Sequence, residues 1–184
     1  LACICSVGRA QDVEALRKSE EALKDLLKPI PPKEPSEALK AFETRPGFRM
    51  ELIAREPMVV DPVSAAIDEN GLLYVAELID YPYRPKEGES PRGRIRLLGD
   101  ADGDGRYDRS TVFADKLLWA AGIAPWKGGV FITAPPDVWY MLDTDGDGVA
   151  DKKTKAYTGF GVGGAQYILN NATWGLDHWI YAAV

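Results

Sequence analysis

The chain has 184 residues, of which 46% are hydrophobic and 10% are aromatic; this composition fits a folded domain with a sizeable core and excludes a disordered chain. The formal net charge of −6 argues against a nucleic-acid partner, because phosphate-binding surfaces need clustered lysine and arginine. Beyond the first residues, no stretch is apolar over a length that would span a bilayer. We therefore predict an acidic globular protein without a transmembrane segment.

The first ten residues, "LACICSVGRA", have the character of the end of a signal peptide. Gly8, Arg9 and Ala10 form a small-x-small pattern that suits cleavage after Ala10. Cys3 and Cys5 both precede that point, so the remaining chain would hold no disulfide and no CxxCH haem attachment. We expect residues 1–10 to be a signal-peptide remnant of an exported protein, periplasmic or associated with the cell surface. The alternative is an ordinary N-terminal segment of a soluble protein.

Residues 11–35 are predicted to form a helix followed by a proline-rich linker. Apolar residues recur at helical spacing over 12–28, and Pro29 ends this pattern. The prolines that follow favour extended backbone. Ser36 is then a suitable N-cap for a short helix over 37–42.

From Phe48 onward the sequence has the pattern of an all-β domain. Short runs rich in β-branched and aromatic residues alternate with turn residues. Several of these segments recur in the same order. The turn and strand at 68–76 return at 126–134 and again at 176–183. A second kind of strand, which leads into an acidic loop, also occurs twice.

The acidic loops "DADGDGRYD" (100–108) and "DTDGDGVAD" (143–151) begin 43 residues apart, within the length of one four-stranded propeller blade. A single blade cannot bury both faces of its sheet, so blades stack around an axis. We therefore predict that residues 36–184 are the N-terminal part of a β-propeller, about two to three blades long. Because the sequence ends in the strand-like run "WIYAAV", we expect a fragment of a larger protein. The first unit contains an extra excursion over 78–93, a place where ligand sites often lie.

Both acidic loops carry oxygen ligands at the spacing of a calcium loop. Carboxylates occupy positions 1, 3, 5 and 9, glycine permits the turn at position 6, and residue 7 offers its main-chain carbonyl. The predicted ligands are Asp100, Asp102, Asp104, Arg106 and Asp108 in the first loop and Asp143, Asp145, Asp147, Val149 and Asp151 in the second. The absence of nitrogen and sulfur ligands favours calcium over zinc.

Position 12 distinguishes these loops from EF-hands. Thr111 and Thr154 stand where an EF-hand has a bidentate glutamate, and strand-like sequence flanks both loops. We expect weak affinity, about 10⁻⁴ to 10⁻³ M, as in extracellular calcium modules. The alternative is a pair of Asp-Gly turns that bind no metal.

A few polar residues at strand ends are candidates for a ligand pocket. They are Glu77, Asp80, Tyr81, Gln166, Asn170 and Asn171. Exposed loop positions and turn capping are the alternatives. His178, the single histidine, aligns with a turn glycine, Gly71, so we predict a turn role rather than a catalytic base. No catalytic motif is present, so catalytic residues are not assigned. The five tryptophans are interpreted as packing residues of the core or between blades.

Three ordered segments carry a family resemblance: "GRIRLLGDADGDGRYDRSTVFADKL", "PWKGGVFITAPPDVWYMLDTDGDGVADK" and "NNATWGLDHWIYA". Together with the segment from Ser36 they resemble the membrane-bound dehydrogenase N-terminal domain family of planctomycetes and related bacteria. That family is similar to the β-propellers of soluble glucose and sorbosone dehydrogenases. The resemblance runs over 36–184 and therefore supports the same fold class, an all-β partial propeller after a short helical N-terminal segment.

The resemblance implies a quinoprotein-type dehydrogenase that oxidises a sugar or an aldehyde. Calcium and pyrroloquinoline quinone would be its cofactors, and a downstream c-type cytochrome domain with haem would accept the electrons. Such enzymes place a basic histidine and cationic residues around the quinone, and these cannot be located on this chain, where His178 stands at a position that is usually glycine. The alternative is a non-catalytic, calcium-dependent propeller that binds a carbohydrate or a protein.

Overall fold

The computed structural model describes Lys18, Ser19, Leu23, Lys24, Leu27 and residues 31–183. The predicted signal-peptide remnant at 1–10 and most of the predicted helix over 12–28 lie outside the described residues. The chain divides into two compact units, Leu1–Met50 and Glu51–Val184. In the part of the chain that is described, no helix has the length and apolar character needed to cross a membrane.

In the first unit, helix α1 spans Pro35–Leu39, and Glu34 is its N-cap without a side-chain capping bond. The expectation that Ser36 would cap the helix is therefore wrong. Pro35 starts the helix instead, because its fixed φ suits the first turn and its missing N–H has no partner to lose there. The predicted extent to residue 42 is also too long. After Leu39 the backbone tightens into i→i−3 bonds, such as Ala41 N–H to the Ala38 carbonyl at 3.1 Å.

The second unit consists of antiparallel β-sheets, which confirms the all-β prediction. The first four-stranded sheet contains β1 (Pro62–Ile67), β2 (Leu73–Glu77), β3 (Gly93–Gly99) and β4 (Arg109–Leu117). The second contains β5 (Gly122–Trp126), β6 (Gly129–Ala134), β7 (Asp137–Leu142) and β8 (Lys152–Thr158). A third, two-stranded sheet pairs β9 (Asn170–Trp174) with β10 (Ile180–Ala183).

The two four-stranded sheets are structural copies of one another. In each, sequence neighbours are also neighbours in the sheet, and an acidic loop joins the third strand to the fourth. Leu98 and Met141 both lie two residues before the first aspartate of their loop. They pair with Leu73 and Val130, at equivalent points of the second strands. The β9–β10 hairpin corresponds to the first two strands of this unit.

Each sheet also packs against the preceding sheet through equivalent strands. Strand β5 contacts β1 and β2 of the preceding sheet, and β9 contacts β5 and β6 in turn. The larger apolar core lies between the first two sheets. It contains Tyr74, Ala76, Ile95, Leu97 and Phe113 from the first sheet and Val130, Ile132, Met141 and Ala150 from the second. Burying each of the large apolar side chains stabilises the fold by about 1.5–3 kcal/mol.

Gly122 allows the closest approach between the second and third sheets. A Cβ atom at this position would lie 2.6 Å from the Ala172 nitrogen and 2.6 Å from the Thr133 hydroxyl oxygen. Any larger residue would therefore push β9 away from β5. The glycine is required by packing here, not by an unusual φ angle.

The opposite face of the first sheet is covered by chain rather than by a sheet. Val59 is buried there against Leu73, Val75 and Leu98, and Ala54, Met58 and Tyr107 pack around them. The Ser110 hydroxyl donates to the Met58 carbonyl at 2.8 Å and fastens this segment to β4. Both faces of the first sheet are thus covered over β2 and β3.

The tryptophan side chains differ in burial, depending on how well the sheet face around them is covered. Trp119 is 2% exposed, as expected for a packing residue, and Trp139 packs against the larger core. In contrast, Trp126, Trp174 and Trp179 are 38%, 41% and 72% exposed. Trp126 still packs against Phe131 and Tyr140, and the Trp174 indole N–H donates to the Pro125 carbonyl at 3.0 Å, between the second and third sheets. Trp179 is the most exposed of the three, because the sheet face beside it is only partly covered.

The core makes a prediction about alkaline stability. Burial, with the nearby carboxylates of Asp68 and Asp143, raises the pKa of the Tyr74 phenol from 10.0 to about 12. Because the pKa of Tyr74 is higher in the folded than in the unfolded chain, its contribution to the free energy of unfolding is complete below pH 10. That contribution is lost as the pH rises towards 12. Tyr74→Phe should therefore flatten the fall of the urea midpoint between pH 10 and 12. Tyr157→Phe, at an exposed site on β8, is the control and should keep the wild-type slope; an equally steep fall in Tyr74→Phe would contradict the prediction.

Candidate functional site

Each acidic loop brings three carboxylates together at one corner of its sheet. The ligand oxygens of Asp100, Asp102 and Asp104 lie within 4.8 Å of one another, and the same holds for Asp143, Asp145 and Asp147. Two oxygens bound to one Ca²⁺ at about 2.4 Å lie at most about 4.8 Å apart. The six residues predicted at positions 1, 3 and 5 therefore fit a shared cation in both loops.

The first aspartate of each loop organises the backbone. Asp100 accepts hydrogen bonds from the N–H groups of Gly103 at 2.7 Å and Gly105 at 2.8 Å. Both glycines have φ in the left-handed region, 77° and 87°, which side chains oppose. Asp143 accepts the two equivalent bonds in the second loop, both at 2.7 Å. The loops are thus preformed by the same bonds.

These hydrogen bonds keep the first aspartates ionised. The Gly105 N–H is the main cause that lowers the pKa of Asp100. At Asp143 burial acts to raise the pKa, but the N–H groups of Gly148 and Gly146 outweigh it, and the pKa is again lowered. Both side chains are acceptors only at neutral pH, as a cation ligand must be.

The aspartates predicted at position 9 do not join these clusters. Asp108 accepts a hydrogen bond from the Ala101 N–H at 2.9 Å, and Asp151 accepts one from the Thr144 N–H at 3.1 Å. The Thr144 hydroxyl also donates to Asp151 and is the largest cause that lowers its pKa. Asp108 and Asp151 thus close the base of each loop.

Arg106 and Val149 stand at position 7, where we predicted carbonyl ligands. Their N–H groups donate to the position-5 carboxylates of Asp104 and Asp147, at 2.8 Å and 2.7 Å. The main chain at position 7 is therefore held beside the carboxylate cluster in both loops.

The second loop also connects two sheets. The Ala150 N–H donates to the Phe113 carbonyl of β4 at 2.8 Å, and Ala150 is buried in the core between the sheets. Gly148 lies against the Thr111 side chain. At the equivalent place in the first loop, the Tyr107 hydroxyl donates to the Gly71 carbonyl at 3.1 Å. Order in the second loop is therefore linked to contact between the first and second sheets.

A cavity of about 390 Å³ lies at the other end of the strands. It is lined by Tyr81, Pro82, Gly164, Ala165, Gln166 and Tyr167. The first two belong to the β2–β3 connection and the rest to the β8–β9 connection. Because antiparallel strands alternate in direction, these connections lie at the opposite end from the acidic loops. The structure thus brings together two of the six predicted pocket residues, Tyr81 and Gln166.

Three other pocket candidates do not line this cavity. Asp80 accepts a hydrogen bond from the Arg92 N–H at 2.9 Å, which closes the excursion on itself. The Asn170 side chain donates to the Ile168 carbonyl at 2.9 Å, and Asn171 has a φ of 54° at the start of β9. Their roles are local, in shaping turns and strand ends.

Trp119 anchors the excursion that carries Tyr81. Its ring contacts Tyr81 edge-on, with 6.3 Å between centroids, and the Arg84 guanidinium lies 5.5 Å above it. Its indole N–H donates to the Tyr83 carbonyl at 3.3 Å. No local sequence pattern predicts this contact between distant segments. It also missed Tyr167, although Tyr167 adjoins the predicted Gln166.

Glu77, the remaining pocket candidate, is a buried structural anchor. It is 0% exposed and accepts a hydrogen bond from the Val60 N–H at 2.7 Å. The Arg94 guanidinium pairs with the same carboxylate, and Arg96 Nε lies 3.5 Å from it. Glu77 therefore connects the segment before β1 to β3 and does not line the cavity.

His178 lies in the β9–β10 turn with a φ of 67°. Its N–H donates to the Gly175 carbonyl at 3.2 Å. This is the turn conformation that the alignment with Gly71 predicted. The imidazole does not line the cavity beside Tyr81.

Comparison with known families shows to which family the chain belongs. A family model described as "Domain of unknown function (DUF7133)" matches residues 34–184. The chain belongs to this family. No curated protein and no solved structure matches it. The matched region contains both acidic loops and the cavity, so a function for these sites has to come from their geometry.

The Glu77 cluster predicts a large loss of stability on neutralisation. Glu77→Gln leaves two arginines without their buried counter-charge, and we expect about 3 kcal/mol of destabilisation. Asp115→Asn is the control, because it removes one charge from an exposed carboxylate of β4, and such surface changes usually stay within about 0.5 kcal/mol. Urea unfolding of both variants measures the difference. Equal losses would show that Glu77 is not the anchor described here.

Proposed function

We propose that the chain forms part of a calcium-stabilised β-propeller that presents a cavity for a neutral carbohydrate at the end opposite its metal loops. The observation that carries this proposal is the repetition of one carboxylate cluster at the same corner of two successive, identically ordered sheets. The propeller, the metal and the ligand are argued in turn below.

The relation between successive sheets supports the propeller. Each four-stranded unit is a simple meander, and the first strand of one sheet packs against the first two strands of the sheet before it. The same relation is used twice, from β1–β2 to β5 and from β5–β6 to β9. Repetition of one rotation between sheets generates a ring in which only short edges stay open.

The carboxylate clusters support calcium. Three carboxylates within 4.8 Å of each other repel one another unless a cation shares them. All the side-chain ligands are oxygens, which suits a hard cation, and loops of this kind adapt to the six to eight ligands of Ca²⁺ more readily than to the strict octahedron of Mg²⁺. Since the second loop bonds to β4 of the preceding sheet, calcium there would also stabilise the contact between sheets.

Calorimetric titration with calcium tests the metal. Two sites are expected in the wild type, one in Asp102→Ala, one in Asp145→Ala and none in the double variant. For a Kd of about 1 mM, 10 mM calcium should add about 1.4 kcal/mol of stability per site. Asp115→Ala, which removes an exposed carboxylate of β4 outside the loops, is the control. Unchanged binding in both single variants would remove the calcium proposal.

The cavity lining supports a neutral, hydroxylated ligand. Tyr81 and Tyr167 offer aromatic faces on which the C–H surface of a sugar ring can pack, and Gln166 offers both a donor and an acceptor for hydroxyl groups. None of the six lining residues carries a formal charge at neutral pH. A volume of about 390 Å³ lies within the range of small-molecule sites.

The quinoprotein dehydrogenase implied by the family resemblance is the second reading. Pyrroloquinoline quinone carries three carboxylates, so its site needs cationic side chains and a base. The lining of this cavity has neither, and His178, in the β9–β10 turn, lines a separate and larger apolar cavity. The described residues of the cavity do not fit that cofactor, and we therefore place ligand binding before redox catalysis.

One set of variants separates the two readings. Tyr81→Ala and Gln166→Ala should each weaken binding of a mono- or disaccharide at least about tenfold, or 1.4 kcal/mol, as measured by saturation-transfer NMR over a panel of sugars. Tyr83→Ala is the matched control, because this exposed tyrosine lies in the same excursion but outside the cavity. Dye reduction by the chain with calcium, pyrroloquinoline quinone and a sugar or aldehyde would favour the dehydrogenase instead. No binding of any sugar by the wild type would overturn the carbohydrate proposal.

A further inference from the structure

A large apolar wall of the second sheet is only partly covered. A cavity of about 790 Å³ opens between this sheet and the β9–β10 hairpin. The large side chains that line it include Trp126, Phe131, Val138, Tyr157, Trp174 and Trp179. Among the described residues β10 pairs with β9 alone, and Ile180 and Ala182 of β10 line this cavity.

The first sheet shows what normally covers such a wall. By position relative to the acidic loops, Phe131, Thr133, Val138, Ala156 and Tyr157 are the counterparts of Tyr74, Ala76, Ile95, Phe113 and Ala114. All five residues of the first sheet are buried, at 4% exposure or less. In the second sheet, Tyr157 is 68% exposed. Thr133 is buried in the second sheet too, at 1% exposure, so the surface that is closed in the first copy is partly closed in the next.

The residues that close the first wall indicate what kind of element would close the second. Strand β5 and the β6 side chains of Val130, Ile132 and Ala134 cover part of it. Strand β9 contacts the second sheet in the same way. The rest is covered by Met141 and Trp139 of β7 and by Ala150 of the second acidic loop. No described residue occupies the positions against the second sheet that would correspond to Trp139, Met141 and Ala150.

We propose that the free edge of β10 and the apolar wall are a docking surface for a hairpin of the β7–β8 type. Its first strand would pair antiparallel with β10, as β7 pairs with β6. Side chains corresponding to Trp139 and Met141 would then fill the cavity, and the acidic loop would supply a small residue corresponding to Ala150. The occupant is thus a strand with alternating apolar residues followed by D-x-D-G-D-G. This inference rests on the observed repeat and is independent of the metal and ligand proposals.

The experiment supplies this element in the order in which the chain uses it. A copy of residues 135–158 is joined after Val184, so that it follows β10 as β7 follows β6. Hydrogen exchange in β10 should slow at least about tenfold, because its amides gain a hydrogen-bonding partner. Binding of an apolar dye should fall, because Trp179 and Tyr157 become covered. Both measurements are made with calcium and with a chelator, so that failure of the calcium proposal is distinguished from failure of docking.

Matched variants in the added copy alone make the test specific. Trp139→Lys with Met141→Lys places charges on the face that meets the wall and should abolish both effects. Val138→Lys with Tyr140→Lys places the same charges on the other face and should preserve them. Sedimentation of the unmodified chain tests whether a second copy covers the surface instead. Equal exchange rates in all three fusions, or a dimer in which β10 is already protected, would overturn the proposal.

Discussion

The two apolar faces of each small sheet are the constraint on which the rest of this structure depends. A four-stranded meander exposes apolar side chains on both faces, and neither face can remain in water without a large cost. The first sheet meets this constraint twice, with the second sheet on one face and the segment around Val59 on the other. The second sheet meets it fully only on the face towards the first. Repetition of the sheet is therefore a consequence of strands that are apolar on both faces, since each copy covers one face and exposes a new one.

The acidic loops are part of this packing as well as a cluster of charges. The residue at position 8 turns inward in both copies, as Tyr107 against the outer face of the first sheet and as Ala150 between the sheets. A carboxylate cluster in the solvent and an apolar contact in the core are thus only a few residues apart on the same loop. The left-handed glycines make this possible, because they let the chain curl back after the third carboxylate. The loop that holds the carboxylate cluster thus also holds the residue that packs against the apolar side chains of the sheets.

The sequence predicted the features that depend on spacing and missed those that depend on long-range pairing. The 43-residue interval between the loops and the alternation of Asp100, Asp102 and Asp104 are local patterns, so the repeated unit and the converging carboxylates could be read from them. Glu77 could not, because its partner Arg94 follows an excursion whose length hides their adjacency across two strands. The same holds for the cavity, which joins segments more than 80 residues apart. The predicted start of helix α1 was wrong for a different reason, because Pro35 and Ser36 both suit the beginning of a helix and lie one residue apart.

The connections at the two ends of the sheets differ in length and in sequence. At one end the connections are short, acidic and nearly identical in both copies, which suits a function common to every unit. At the other end the first excursion differs from its counterpart, where cis-linked Pro135 and Pro136 make the shortest connection. Only the longer excursion carries Tyr81, and it is held rigid by Trp119 from the segment before β5. The excursion can therefore differ in length and sequence without disturbing the corner that packs the sheets together.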